Sequence, residues 1–584
     1  MCKLGAGGMP GRRTASLAEP LLGNQFEDVN MATTTYPPEV DLHKGVDRSG
    51  IGGHPAGLTT LFFTEMWERF SYYGLRGLLI LFTTLPTADG GLGFSTVKAA
   101  SIYGAYTAGV YLMSLPGGWV ADNLLGARLS VLIGGIIIAL GHFSMVFPTL
   151  STFYLGLTLV VLGTGLLKPN VSTMVGSLYA EDDPRRDSGF SIFYMGINLG
   201  AFLAPLVCGA LAQGEWFKAF LSRMGFRPES SWHWAFACAG VGMSLGLTQY
   251  LFWGKRLAHV GGRPQRKGIA AAVPSGESPV EDHVSPVTPA ESTTRGGFGA
   301  RFLRYVVLLS AAVLAGNVLI SLVTYLSGKP TDITVSEIAG QVLVAAFLGT
   351  ASIAIKYVEG LLAKGKKSEA RDQAKRLGVI FILFLFSTLF FMAFEQAGSS
   401  LNLFADRLTR LSIFGIPFQS SQLQSVNSVF IILLAPVFSL LWLKMGRREP
   451  SSPAKFAYGL LFVGIGFLVI AYASTLTGAG PVSPLWLVLV YFIHTLGELS
   501  LSPVGLSTVT KLAPSRLVGL MMGLWFLSIS IGNYAGAWVA GHFNAEAEGA
   551  LVRMFGLVAV VTIVAAAILA ALSPYIRKLM GRVH

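Results

Sequence analysis

An all-α polytopic membrane protein is the fold class this sequence predicts, and three observations predict it. The chain is 52% hydrophobic and only 13% charged, with a mean hydropathy of +0.59; a soluble domain carries about 25% charged residues. Apolar runs of about 20 residues, enough to cross a hydrocarbon core of about 30 Å, recur along most of the length. The runs lack the strand-period alternation of a β-barrel.

Taken in order, residues 1–56 are rich in Gly, Pro, Ser and Thr and read as a disordered tail. Met1, Met9 and Met31 are all possible starts. Six apolar spans follow at 57–83, 98–121, 128–147, 151–176, 188–212 and 232–253, a bundle over 57–253. The polar stretch 254–299 reads as a flexible cytoplasmic linker. Two additional spans, 301–326 and 335–362, occupy segment 300–362. A basic linker, 363–376, precedes six more spans at 377–401, 423–443, 455–474, 483–508, 517–541 and 550–574, a second bundle over 377–574 with a tail at 575–584. The count is about fourteen helices, arranged six, two, six.

The net charge of +12 is topogenic rather than a nucleic-acid footprint. With both termini cytoplasmic, the inner loops hold about 22 Lys and Arg and the outer loops about 8, as the positive-inside rule requires. Cys2, Cys208 and Cys238 form no disulfide or metal-binding spacing. No nucleophile motif, P-loop or Rossmann glycine pattern suggests an enzyme.

The most informative segment is Glu65-Met66-Trp67-Glu68-Arg69-Phe70-Ser71-Tyr72-Tyr73-Gly74-Leu75-Arg76. Its four ionisable residues lie inside the first span. Each costs about 2.5–3.5 kcal/mol at mid-membrane, roughly 10–14 kcal/mol together before pairing or snorkelling. At 3.6 residues per turn Glu65, Glu68, Arg69, Tyr72, Tyr73 and Arg76 share one face, as a wet pathway would need. Lys168, Glu395 and Glu498 add charge to three further spans, and Lys168 and Glu498 each stand near a proline that frees a backbone carbonyl. A set of buried pairs that only fixes helix register is the competing reading.

Gly118-Trp119-Val120-Ala121-Asp122-Asn123-Leu124-Leu125-Gly126-Ala127-Arg128 resembles the conserved loop of the major facilitator superfamily, with Asp122 expected to pair across helices. Two six-helix halves with a midplane site would fit that fold. The helix 1 segment resembles the ExxER signature of the proton-dependent oligopeptide transporter family, followed by its F-x-Y-Y. Phe193-Tyr194-Met195-Gly196-Ile197-Asn198-Leu199-Gly200 resembles the family's helix 5 motif. The segments around Lys168, Glu395 and Glu498, and Gln424-Ser425-Val426-Asn427, are similar as well. The resemblance spans both halves, and the two extra helices are similar to the bacterial branch. The 254–299 linker has no counterpart in it.

The resemblance implies a proton-coupled symporter importing di- and tripeptides by alternating access, resident in the plasma membrane and using protons but no other cofactor; a monomer is the expected form, and the sequence leaves the oligomeric state open. It implies that Arg76, Lys168 and Asn198 contact the peptide carboxylate, with Tyr73 and Tyr111 lining the pocket. Glu498 would take the amino group, with Asn427 and Trp525 nearby. Glu65, Glu68 and Arg69 would couple protons to Lys168, and Arg76 with Glu395 would gate. The chain departs from some animal members in having no histidine on the second span; His142 and His494 are expected to be structural. Nitrate or another small anion as cargo, or a peptide sensor without transport, are the alternatives.

Overall fold

The computed structural model describes residues 47–180, 183–263, 304–310, 312–314, 316–317 and 335–581. Most of the N-terminal tail, most of the 254–299 linker and most of the first extra span lie outside them. The described chain is almost entirely helical, and its two-residue strands Ser412–Ile413 and Ile416–Pro417 pair in one small hairpin.

The helices of the first half are α1 (Ala56–Thr84), α2 (Thr96–Leu112), α3 (Ser114–Val120), α4 (Ala127–Ser144), α5 (Leu150–Ser177), α6 (Arg186–Gln213), the short α7 (Glu215–Arg223) and α8 (Ser231–Phe252). Between the halves runs α9 (Val335–Ala363). The second half holds α10 (Lys367–Phe394), α11 (Ser400–Leu408), α12 (Ser425–Met445), α13 (Ser452–Thr475), α14 (Leu485–Leu512), α15 (Val518–Ala540) and α16 (Ala550–Met580).

Eleven helical segments among the described residues are long and apolar enough to cross a membrane. Two expected spans fall outside that set for physical reasons. The α1 helix is 29 residues long but carries Glu65, Glu68, Arg69 and Arg76. The expected span 98–121 is broken at Met113 into α2 and α3. The expected span 377–401 is likewise discontinuous: α10 stops at Phe394, a 3₁₀ turn covers Glu395–Gly398, and α11 resumes at Ser400. A helix broken at mid-membrane is tolerated where its freed backbone faces protein or a cavity.

Within each half the helices pack closely, α1 on α6 and α8, α4 on α5, and α13 on α14 and α16. Close approach needs small residues. A Cβ on Gly200 would lie 2.2 Å from the Met66 carbonyl oxygen, so glycine lets α6 press against the charged stretch of α1. The halves meet along two seams, α2 with α15 and α6 with α12. Helix α9 touches α2, α10 and α15 together, so it lies over the first seam. Its Phe347 ring stacks on Phe384 of α10 at 4.8 Å.

The loop after α3 differs from expectation. Ala121–Leu125 forms a π-helical turn closed by Gly126 at φ 80°. The turn leaves Asp122 exposed, and it makes no ion pair among the described residues. Arg128 instead anchors the loop, donating from Nη1 to the Leu257 carbonyl at 3.2 Å.

Candidate substrate and ion site

The polar face of α1 turns inward. Glu65, Glu68, Arg69, Tyr72 and Arg76 are buried and Tyr73 is half-buried. Arg69 Nε lies 3.2 Å from Glu65 Oε1 and also pairs with Glu68. One guanidinium thus serves two carboxylates on a single turn. Buried charges persist only when paired, and this triad supplies most of its own neutralisation.

One turn on, Arg76 crosses to the other half. Its Nη2 meets Glu395 Oε2 at 2.6 Å and donates to the Glu395 carbonyl at 3.3 Å. Its Nε donates to the Tyr103 hydroxyl at 2.9 Å. The break between α10 and α11 places Glu395 here, with both side chain and carbonyl turned to the guanidinium. Tyr103 was not singled out by the sequence reading. The tyrosines at 103, 106 and 111 on one span were the available signal.

Lys168 and Glu498 are different. Both are half-buried, and neither makes an ion pair with another described residue. The Lys168 ammonium sits 3.8 Å from the centre of the Tyr111 ring, a cation–π contact. It lies within the electrostatic reach of Arg69, Glu68, Glu65 and Glu395. Glu498 Oε2 accepts from Asn427 Nδ2 at 3.2 Å, and the same amide donates to Thr495 Oγ1 at 2.9 Å. Thr495 in turn donates to the Tyr491 carbonyl, one turn back on its own helix, which fixes its lone pairs toward Asn427.

The other expected contacts are placed less directly. Asn198 is buried and donates to the Tyr194 carbonyl on its own helix at 2.9 Å. Trp525 is buried, its ring edge-on to Phe391 at 6.0 Å and Phe456 at 6.2 Å. His142 meets Ser71 at 2.6 Å, and His494 stacks on Phe467 at 5.2 Å; both are buried.

Hydrogen bonds that join the halves cluster at the end of the bundle where α1 finishes. Asn402 Nδ2 and Gln424 Nε2 both donate to the Gly77 carbonyl, at 2.8 and 3.4 Å. Gln213 Nε2 donates to Ser420 Oγ at 2.8 Å, and its Oε1 accepts from Ser421 Oγ at 2.7 Å. Ser425 Oγ donates to the Phe202 carbonyl at 2.7 Å. The Arg76–Glu395 pair lies just inside this seal.

A helical bundle of two halves, with paired charge on one broken path and lone opposite charges in each half, defines a membrane transporter of the major facilitator fold. The chain belongs to the POT family, whose model matches residues 128–267 and 311–554. It is 39% identical over 537 residues to a peptide transporter of Yersinia enterocolitica, covering 91% of this chain and 96% of that one. It is 36% identical over 540 residues to a di-/tripeptide transporter of Lactococcus lactis, covering 91% and 98%. A crystal structure of a peptide transporter, POT, in complex with sulfate matches with a TM-score of 0.72 at 38% identity, covering 92% of this chain and 98% of that one. Members of this family are transporters, not enzymes.

Proposed function

We propose that the protein is a proton-coupled symporter that imports di- and tripeptides across the plasma membrane by alternating access, with both termini in the cytoplasm. The observation that carries the reading is the pair of lone charges. Lys168 on α5 and Glu498 on α14 belong to different halves and lack ionic partners, while the other buried charges of the site are paired. A zwitterionic peptide presents a carboxylate and an ammonium at a short spacing and would complete both. Arg76, Asn198, Tyr73 and Tyr111 would assist at the carboxylate end, and Asn427 with Trp525 at the amino end. Recognition through the termini leaves the side chains free to vary.

Glu65, Glu68 and Arg69 would handle the proton with Lys168. A buried carboxylate stays ionised while its cationic partner is near and takes up a proton once the partner leaves. A peptide carboxylate that draws on Lys168 or Arg76 competes for those partners, and rocking of the halves would part Arg76 from Glu395. The driving force is adequate. One proton moving through roughly 100 mV supplies about 2.3 kcal/mol, and one unit of pH gradient about 1.4 kcal/mol. Together they sustain roughly 500-fold accumulation of a neutral zwitterion at one proton per peptide.

The test is dialanine uptake into proteoliposomes with an imposed inward proton gradient, comparing wild type with Glu498→Gln, Lys168→Ala and Glu68→Gln. Gradient-driven accumulation by wild type alone is the expected result. Binding without flux would make the protein a sensor. Neither binding nor flux of peptide would turn attention to nitrate and other anions.

A further inference from the structure

The charged path does not use helix α7. This helix follows α6 after a single residue, Gly214, at the end of the bundle where the halves are sealed. At 100° per residue Trp216, Phe217, Phe220 and Leu221 fall on one side and Glu215, Lys218 and Ser222 on the other, with Arg223 at the boundary beside Trp216. The apolar side is only partly covered by protein. Leu221 is buried and Phe217 half-buried, whereas Trp216 is 63% and Phe220 49% exposed. The loop beyond leaves Met224 and Phe226 exposed as well. Phe226 meets Trp234, itself exposed in the first turn of α8, edge to face at 5.5 Å. On the polar side Lys218 is tied to Glu215 at 2.8 Å. Arg223 and Arg227 are exposed and make no ion pair among the described residues.

We propose that α7 and the loop 224–227 form an interfacial anchor. The helix lies in the head-group layer of the leaflet at the sealed end, with Trp216, Phe220, Met224 and Phe226 toward the acyl chains and Arg223 and Arg227 toward lipid phosphates. Continuity selects the bilayer as the occupant: α7 is joined directly to one spanning helix and reaches the exposed indole of the next. The chemistry agrees, because aromatic side chains favour the membrane interface and cations at the edge of the apolar face reach anionic head groups. The anchor begins two residues after Gln213, whose amide bridges the halves. The leaflet therefore holds one side of that seal in place.

Site-directed spin labelling tests this on the full-length chain in vesicles of phosphatidylethanolamine and phosphatidylglycerol. Nitroxides are placed separately on Trp216→Cys, Phe220→Cys and Ser222→Cys, with the wild-type chain giving the background from its native cysteines. The labels at 216 and 220 are expected to collide more with oxygen than with a water-soluble nickel chelate, at a depth of about 5–10 Å below the phosphates. The label at 222 is expected to show the reverse. If 216 and 220 are as open to the chelate as 222, the helix stands in water and the proposal fails. Shielding of both from oxygen and chelate alike also overturns it, in favour of a second protein copy on this face. Two independent apolar positions keep the reading decisive should one variant fail to fold.

Discussion

At the scale of single residues, the site divides into charges that have partners and charges that lack them. Arg76 is held by three contacts, to the Glu395 carboxylate, the Glu395 carbonyl and the Tyr103 hydroxyl. A lysine cannot reproduce that planar fork. Arg76→Lys is expected to cut dialanine transport about tenfold or more, since each lost hydrogen bond to a charged group costs about 1.5–3 kcal/mol. Initial-rate uptake measures it, and near wild-type rates would show that charge alone suffices. Asn427 is the neutral donor on Glu498. Asn427→Ala is expected to weaken dialanine binding about tenfold on the same scale. Asn427→Asp is expected to weaken it further, because two carboxylates would then share the site. Isothermal titration would order the three proteins, and equal affinities would remove Asn427 from the site. The residues on α1 were legible in the sequence because charge inside an apolar span is rare and costly. Tyr103 and Thr495 were not, because a tyrosine or threonine in a span is ordinary until a partner stands beside it.

At the scale of elements, a strap formed by residues 47–55 fastens the start of α1 to the loop between α5 and α6. Asp47 Oδ2 accepts from the Ala56 amide at 2.8 Å, capping α1. Arg185 Nη1 donates to the carbonyls of Asp47 and Gly53, at 3.2 and 3.0 Å. His54 Nδ1 meets the Tyr179 hydroxyl at 2.8 Å, and its Nε2 lies 3.4 Å from Ser188 Oγ. Burial pushes the Tyr179 phenol up to about 12, so the hydroxyl keeps its proton in this bond. Burial first, and then the Arg185 guanidinium, hold His54 below its ordinary 6.5, with Asp183 opposing. A group whose value is lowered in this way prefers the neutral imidazole in the fold. The strap is therefore most stable above pH about 6.5, and it weakens as the pH falls from there toward the folded value. In chains labelled with ¹³C-histidine, the His54 resonance is expected to titrate below 6.5 in wild type and to move toward 6.5 in Arg185→Ala. A wild-type midpoint at 6.5 or above would contradict the environment described for the imidazole.

At the scale of the whole molecule, the seal at the far end rests on a handful of neutral hydrogen bonds around Gly77 and Gln213, together with one buried ion pair. Such bonds are worth about 1 kcal/mol each, a weak hold of the kind the proposed alternating access requires. Gln213→Ala and Asn402→Ala are each expected to shift the balance toward the state open at that end about fivefold, and about 25-fold together if independent. Pulsed electron–electron resonance between labels on α7 and on the Ser412–Pro417 hairpin would read the populations. An unchanged distance distribution in the double variant would place the controlling contacts elsewhere. Helix α9, the second of the two additional spans, touches α2 of the first half and α10 and α15 of the second.

What the sequence by itself determined is the membrane-spanning helical class and which of the apolar runs carry charge. Apolar run length and the cost of charge in lipid are local properties that a linear pattern records. The tertiary structure decided which charges neutralise one another, which leaves Lys168 and Glu498 alone. It also decided that the spans at Met113 and Glu395 break and that Asp122 faces outward. It set the Trp525 ring edge-on against Phe391 and Phe456. These outcomes depend on which helices meet and at what height, and no single span carries that information.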